Sequence, residues 1–157
     1  MNQSSALRMI LLGIVMLFSY IMLFQHVVIA RVSLDLMAIY LVWVMMAFPR
    51  FESTIFASVV GFLLDAMTDQ WGLNMFAYTA SVILLYGVFE RFRDIRLLDW
   101  QYLTLLLGFI LLKTSLFAIT TLFTSSVDLA QPMWVFIVGT SIYTVIVGYI
   151  VNAISPS

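Results

Sequence analysis

Few residues in this chain have side chains able to do more than fill space. Asp65 and Asp69 stand four apart, which on a helix puts two carboxylates on one face. Paired carboxylates bind cations or share acid–base work. Asp65 closes an apolar run, so it can equally be a buried cap or an acceptor for a neighbouring helix. Asp69 precedes Trp71-Gly72 and reads as a solvated loop residue. Asp35 opens another apolar run, and Lys113 is the one cation deep inside such a run. Ionisable groups in apolar segments are costly and are usually paired or functional. Lys113 has two readings. Its stem can snorkel to the surface, or its ammonium can pair with an acid, for which Asp65 is a plausible partner by depth. The single histidine, His26, sits beside Gln25 and reads as an interfacial polar residue.

No third carboxylate, histidine or tyrosine clearly converges on the acidic pair, so no catalytic residue is expected. One histidine excludes a multi-histidine metal site, and the absence of cysteine excludes thiolate zinc, iron–sulfur clusters and a cysteine nucleophile. The chain has no Gly-rich phosphate loop, no Ser-x-x-Lys and no His-Glu-x-x-His. No cofactor and no bound metal are therefore expected. A formal net charge of -1 leaves no electrostatic footprint for nucleic acid.

The elements that carry these residues follow from composition. Hydrophobic residues make up 64% of the 157 and charged ones 10%, and mean hydropathy is +1.10. A soluble domain has roughly 45–50% apolar and about 25% charged residues. This chain cannot cover its own surface with polar groups, and a bilayer is the solvent that suits it. Six spans are expected, at approximately 9–30, 32–48, 53–68, 71–89, 100–123 and 133–154, in a single multi-spanning membrane domain. The first span is expected to be retained rather than cleaved as a signal peptide.

The second and third spans are short. Only 13 uncharged residues (36–48) separate Asp35 from Pro49, and only 12 (53–64) separate Glu52 from Asp65. At about 1.5 Å per residue, neither run crosses roughly 30 Å of hydrocarbon. Either the acids sit inside the membrane boundary or the two segments form one re-entrant pair; of these, two short helices joined at Pro49-Arg50-Phe51-Glu52 are expected, because proline breaks a helix and the two charges need water. With the N-terminus inside, Arg8, Arg50, Arg91, Arg93 and Arg96 fall on the cytoplasmic side and only Arg31 outside. The positive-inside rule therefore favours an N-in, C-in arrangement. Trp71, Trp100 and Trp134 fall at span starts, as an aromatic belt would.

Small and polar residues recur every four positions on two spans: Ser53, Ala57, Gly61, Asp65 on the third and Thr140, Thr144, Gly148, Asn152 on the sixth. In lipid such stripes bring backbones close together. They serve either packing within the protein or docking of another membrane protein. The candidate partner-binding residues are Ala57, Gly61, Asp65, Thr144 and Gly148. The intramembrane polar candidates are Asp35, Asp65 and Lys113.

Taken together, Leu34-Asp35-Leu36 with Tyr40, Gly61-Phe62-Leu63-Leu64-Asp65, Trp71-Gly72-Leu73 and Tyr78 resemble the rod shape-determining MreD family. One departure is Leu34, where many members have proline. The resemblance implies an all-α integral membrane fold similar to the substrate-binding subunits of vitamin transporters. It implies a non-enzymatic role in lateral wall elongation in the bacterial cytoplasmic membrane. The implied partners are an MreC-like single-span protein, an MreB-like actin homologue, RodA and a class B penicillin-binding protein. A different class of function is the substrate-binding membrane subunit of a small-solute or vitamin uptake transporter. Such subunits often carry small residues four apart on their first helix, where this chain offers only Gly13 and Ser19. An enzyme of lipid-linked precursors would need more convergent acids or histidines.

Overall fold

The computed structural model describes residues 11, 13–16, 18–20, 34–69, 72–92, 99–124 and 133–154. His26, Arg31, Trp71, Asp128 and the basic segment 93–96 lie outside them, as does the side chain of Asn152. The described residues form helices and the short segments that flank them, with no strand among them. Helix α1 lies within 11–20. It is followed by α2 (Leu36–Ala47), α3 (Arg50–Thr68), α4 (Leu73–Phe92), α5 (Asp99–Thr124) and α6 (Met133–Ile154). Helices α3 to α6 are each long and apolar enough to cross a membrane. This is the make-up of a multi-pass membrane protein.

Helix α2 is different. Its 12 residues span only about 18 Å at about 1.5 Å per residue. It is apolar on every side, the mark of a helix enclosed by others. Residues 36–42, 44 and 45 are all buried. Helices α3, α4, α5 and α6 all touch it, while α3 packs along α4, α4 along α5 and α5 along α6. Helix α1 reaches it at Gly13, where an added Cβ would lie 2.6 Å from the Tyr40 hydroxyl. The short second span is thus the axis of the bundle, and its neighbours shield it from lipid. The outward faces carry exposed apolar side chains such as Phe62, Leu84 and Phe123.

Local chemistry sets the ends of these helices. Asp35 caps α2 by accepting the Ala38 N–H at 3.0 Å. Phe48 turns to extended backbone (φ -118°, ψ 154°) before Pro49, as a residue preceding proline does. The break is tighter than expected. Pro49 already stands at the N-cap of α3, so Arg50 and Glu52 occupy the helix's first turn instead of a loop. Ser53 closes the junction, donating its hydroxyl to the Phe48 carbonyl at 3.2 Å. At the other end of α3, Asp69 takes the left-handed conformation at φ 56°, and its backbone N–H bonds the Asp65 carbonyl.

Candidate functional site

Asp35 is the centre of the interior. The capping of α2 places its carboxylate at the buried end of that helix, among α4, α5 and α6. The Lys113 ammonium donates to Oδ2 at 2.7 Å. The Tyr78 hydroxyl donates to Oδ1, which also takes the Ala38 N–H. The Asp35 backbone N–H donates to the Thr144 hydroxyl at 3.1 Å. One acidic residue therefore ties α2 to three other helices. All four side chains are buried: Asp35 is 6% exposed, Tyr78 1%, Lys113 9% and Thr144 0%. A charge removed from water this far is tolerable only when paired and hydrogen-bonded.

Lys113 therefore neither snorkels nor pairs with Asp65. Its stem keeps the ammonium inside, 4.4 Å from the Tyr78 ring centroid and 5.6 Å from that of Phe117. The aromatic faces add an electrostatic attraction of their own. Asp65 has another task. Its two carboxylate oxygens accept the backbone N–H groups of Asn74 and Met75, each at 2.9 Å. The Gly72 carbonyl accepts the Phe76 N–H, which makes Gly72 the N-cap of α4, a cap with no side chain. Asp65 reaches across from α3 to supply the missing acceptor, and its negative charge suits the positive helix end.

This capping demands close approach. A Cβ on Gly61 would lie 2.4 Å from the Met75 Cα and 2.7 Å from its nitrogen. On the sixth-span stripe, a Cβ on Gly148 would lie 2.4 Å from a Leu106 methyl. Ala57, Gly61, Asp65, Thr144 and Gly148 are all buried. Of the two readings of the stripes, packing within the protein is the one this burial fits. They hold the protein's own helices together, because small residues aligned on a helix are filled by whichever backbone comes nearest. Asp69, by contrast, ends α3 in the left-handed conformation, while both Asp65 carboxylate oxygens are taken by the first N–H groups of α4.

Beside the ion pair lies a cavity of about 230 Å³. Asp35, Tyr78, Lys113, Thr114 and Thr140 line its depth, and Tyr20, Phe117 and Phe136 supply aromatic wall. Thr68 and Asn74 bring it to the end of the bundle that the arginine pattern assigns to the outside. Tyr78 entered the sequence reading only through the family resemblance. A tyrosine inside an apolar span, whose hydroxyl needs a partner when buried, is the signal that marks it. Among the described residues no three His, Asp or Glu side chains come together as metal ligands.

No family model, no curated protein and no solved structure matches this chain.

Proposed function

We propose that the protein is a non-enzymatic component of the machinery that elongates the lateral wall of rod-shaped bacteria. In this reading it resembles MreD and sits in the cytoplasmic membrane with six spans and both termini inside. It needs no cofactor and organises peptidoglycan synthesis through helix contacts with an MreC-like single-span protein. An MreB-like filament, RodA and a class B penicillin-binding protein are the further members of the assembly. One observation supports the reading above others. Asp35, Gly61, Asp65 and Tyr78, four residues on which the resemblance rests, sit at the junctions that join α2, α3, α4 and α5. Partner contact then falls on the outward apolar faces, since the small-residue stripes are occupied internally.

A substrate-binding subunit of an uptake transporter is the second reading, and the lined cavity beside Lys113 favours it. Affinity purification in mild detergent followed by mass spectrometry separates the two. Recovery of a single-span protein with an outer domain supports the scaffold. Recovery of a transporter's energising module in its place overturns it.

A further inference from the structure

One outward face of α4 carries a pattern that the packing of the bundle does not use. Phe76, Thr79, Ile83, Gly87 and Glu90 follow one another at steps of three and four, so they lie in one line along the helix. The half of this face nearer Gly72 is an open apolar groove, lined by Gly72, Met75, Phe76, Thr79, Ala80 and Ile83. Phe76 is 51% exposed and Ile83 42%, so the groove faces the acyl chains of the bilayer. At its Ile83 end stands the exposed Arg50, whose guanidinium donates to the Ile83 carbonyl at 3.4 Å. Ile83 lies nine residues before the end of α4 at Phe92, or about 13 Å, so the guanidinium is held back from the aqueous end. A guanidinium has five N–H donors, and the carbonyl takes one. No carboxylate pairs with it, since the salt bridge among the described residues is that of Lys113 with Asp35. A cation at such a depth calls for an anion. Beyond Arg50, Gly87 is exposed, and a Cβ there would meet nothing within 4 Å. Seven residues past Ile83, and still on the line, comes the exposed carboxylate of Glu90. Arg91 lies about 100° round the helix from it, off the line.

We propose that this face binds one phospholipid whose headgroup carries a phosphate followed by a terminal ammonium, as in phosphatidylethanolamine. The order of the groups decides it. Toward the aqueous end the face presents an apolar groove, a cation, an open glycine and an anion. Such a lipid presents its acyl chain, phosphate, linker and ammonium in the same order. The phosphate accepts from the Arg50 fork, which suits its geometry. The missing side chain at Gly87 leaves room for the linker, and Glu90 accepts from the ammonium. A headgroup with negative charge alone would set like charge against Glu90, and a quaternary ammonium has no N–H to give it. A partner's apolar helix laid in the groove would leave Arg50 without its anion. The site rests on neither reading of the protein's function. The arginine pattern places it in the cytoplasmic leaflet.

Native mass spectrometry of the full-length, delipidated protein in detergent tests the site. The probes are phosphatidylethanolamine, phosphatidylglycerol and phosphatidylcholine with identical acyl chains. Phosphatidylethanolamine should saturate as a single held lipid, about tenfold tighter than either of the others, the worth of one hydrogen bond to a charged group. Arg50→Gln should weaken it by about the same factor, and Glu90→Gln should erase its preference over phosphatidylglycerol. Gly87→Leu should also weaken it about tenfold. The melting temperature of that lipid-free variant should stay level or rise, because its Cβ meets no neighbour and leucine suits a helix better than glycine. That variant therefore separates lost lipid from lost fold. Equal affinity for the three lipids would overturn the site. So would wild-type binding of phosphatidylethanolamine by Arg50→Gln or Gly87→Leu, or an undiminished preference in Glu90→Gln.

Discussion

Asp35 shows how much one carboxylate can organise when water is absent. It caps its own helix, takes the Tyr78 proton donor and holds Lys113. Removing one member of a buried pair leaves the other uncompensated, typically at a cost of about 3–5 kcal/mol. Lys113→Met should therefore lower thermal stability in detergent by about that much. Adding Asp35→Asn should recover most of the loss, since the amide keeps the cap and leaves no charge buried. If the double variant is no more stable than Lys113→Met alone, charge is not what the pair contributes. Tyr78→Phe removes a hydrogen bond to a charged acceptor and should cost about 1.5–3 kcal/mol in the same melt. At this scale the sequence was half legible. Lys113 stood out by being alone in an apolar run. Its partner did not, because depth along a helix cannot reveal which helix occupies the centre.

Between α3 and α4 the decisive feature is a glycine that admits a neighbouring backbone. Even a methyl group at Gly61 would overlap the Met75 backbone, and backbone cannot step aside as a side chain can. Gly61→Ala should lose at least about 1–3 kcal/mol, and Gly61→Leu should lose more. Because this contact is internal, membrane abundance and partner recovery should fall together on immunoblots of Gly61→Leu cells. Normal abundance with lost partner would return the stripe to a docking role. Asp65→Asn keeps one acceptor for the α4 terminus and should be milder than Asp65→Leu, which keeps none. The loss of a cap typically costs about 0.5–2 kcal/mol. Asp69→Asn should be nearly neutral by thermal melt and by cell shape, since asparagine also enters the left-handed region readily. The four-residue spacing of small residues was plain in the sequence. Which backbone fills it was not, because spacing gives a face and no neighbour.

At the scale of the whole molecule, the expected spans lie within a few residues of α2 to α6, since period and composition are local properties, while most of the first, 9–30, lies outside the described residues. The shortness of the second span was also visible, as 13 uncharged residues (36–48). Its meaning was not, because enclosure by α3 to α6 is a property of the assembled bundle. The arginine asymmetry predicts that a reporter fused after Ser157 reads as cytoplasmic and one inserted in 125–131 reads as external. An external C-terminus would require an odd number of crossings and would sink the six-span arrangement.

The central position of α2 also has a consequence in time. A segment of about 18 Å is too short to be taken into roughly 30 Å of hydrocarbon on its own merits. It must enter with α3, to which the two-residue Phe48-Pro49 junction binds it closely. Its charge is not matched even then. Lys113 follows Asp35 by 78 residues, which at about 5–20 residues per second is a delay of roughly 4–16 s during synthesis. Throughout that interval the carboxylate has no ammonium, and the aqueous interface is the least costly place for it. The innermost helix of the finished protein is therefore among the last to settle, since its Asp35 end finds its buried partner only once α5 has been made.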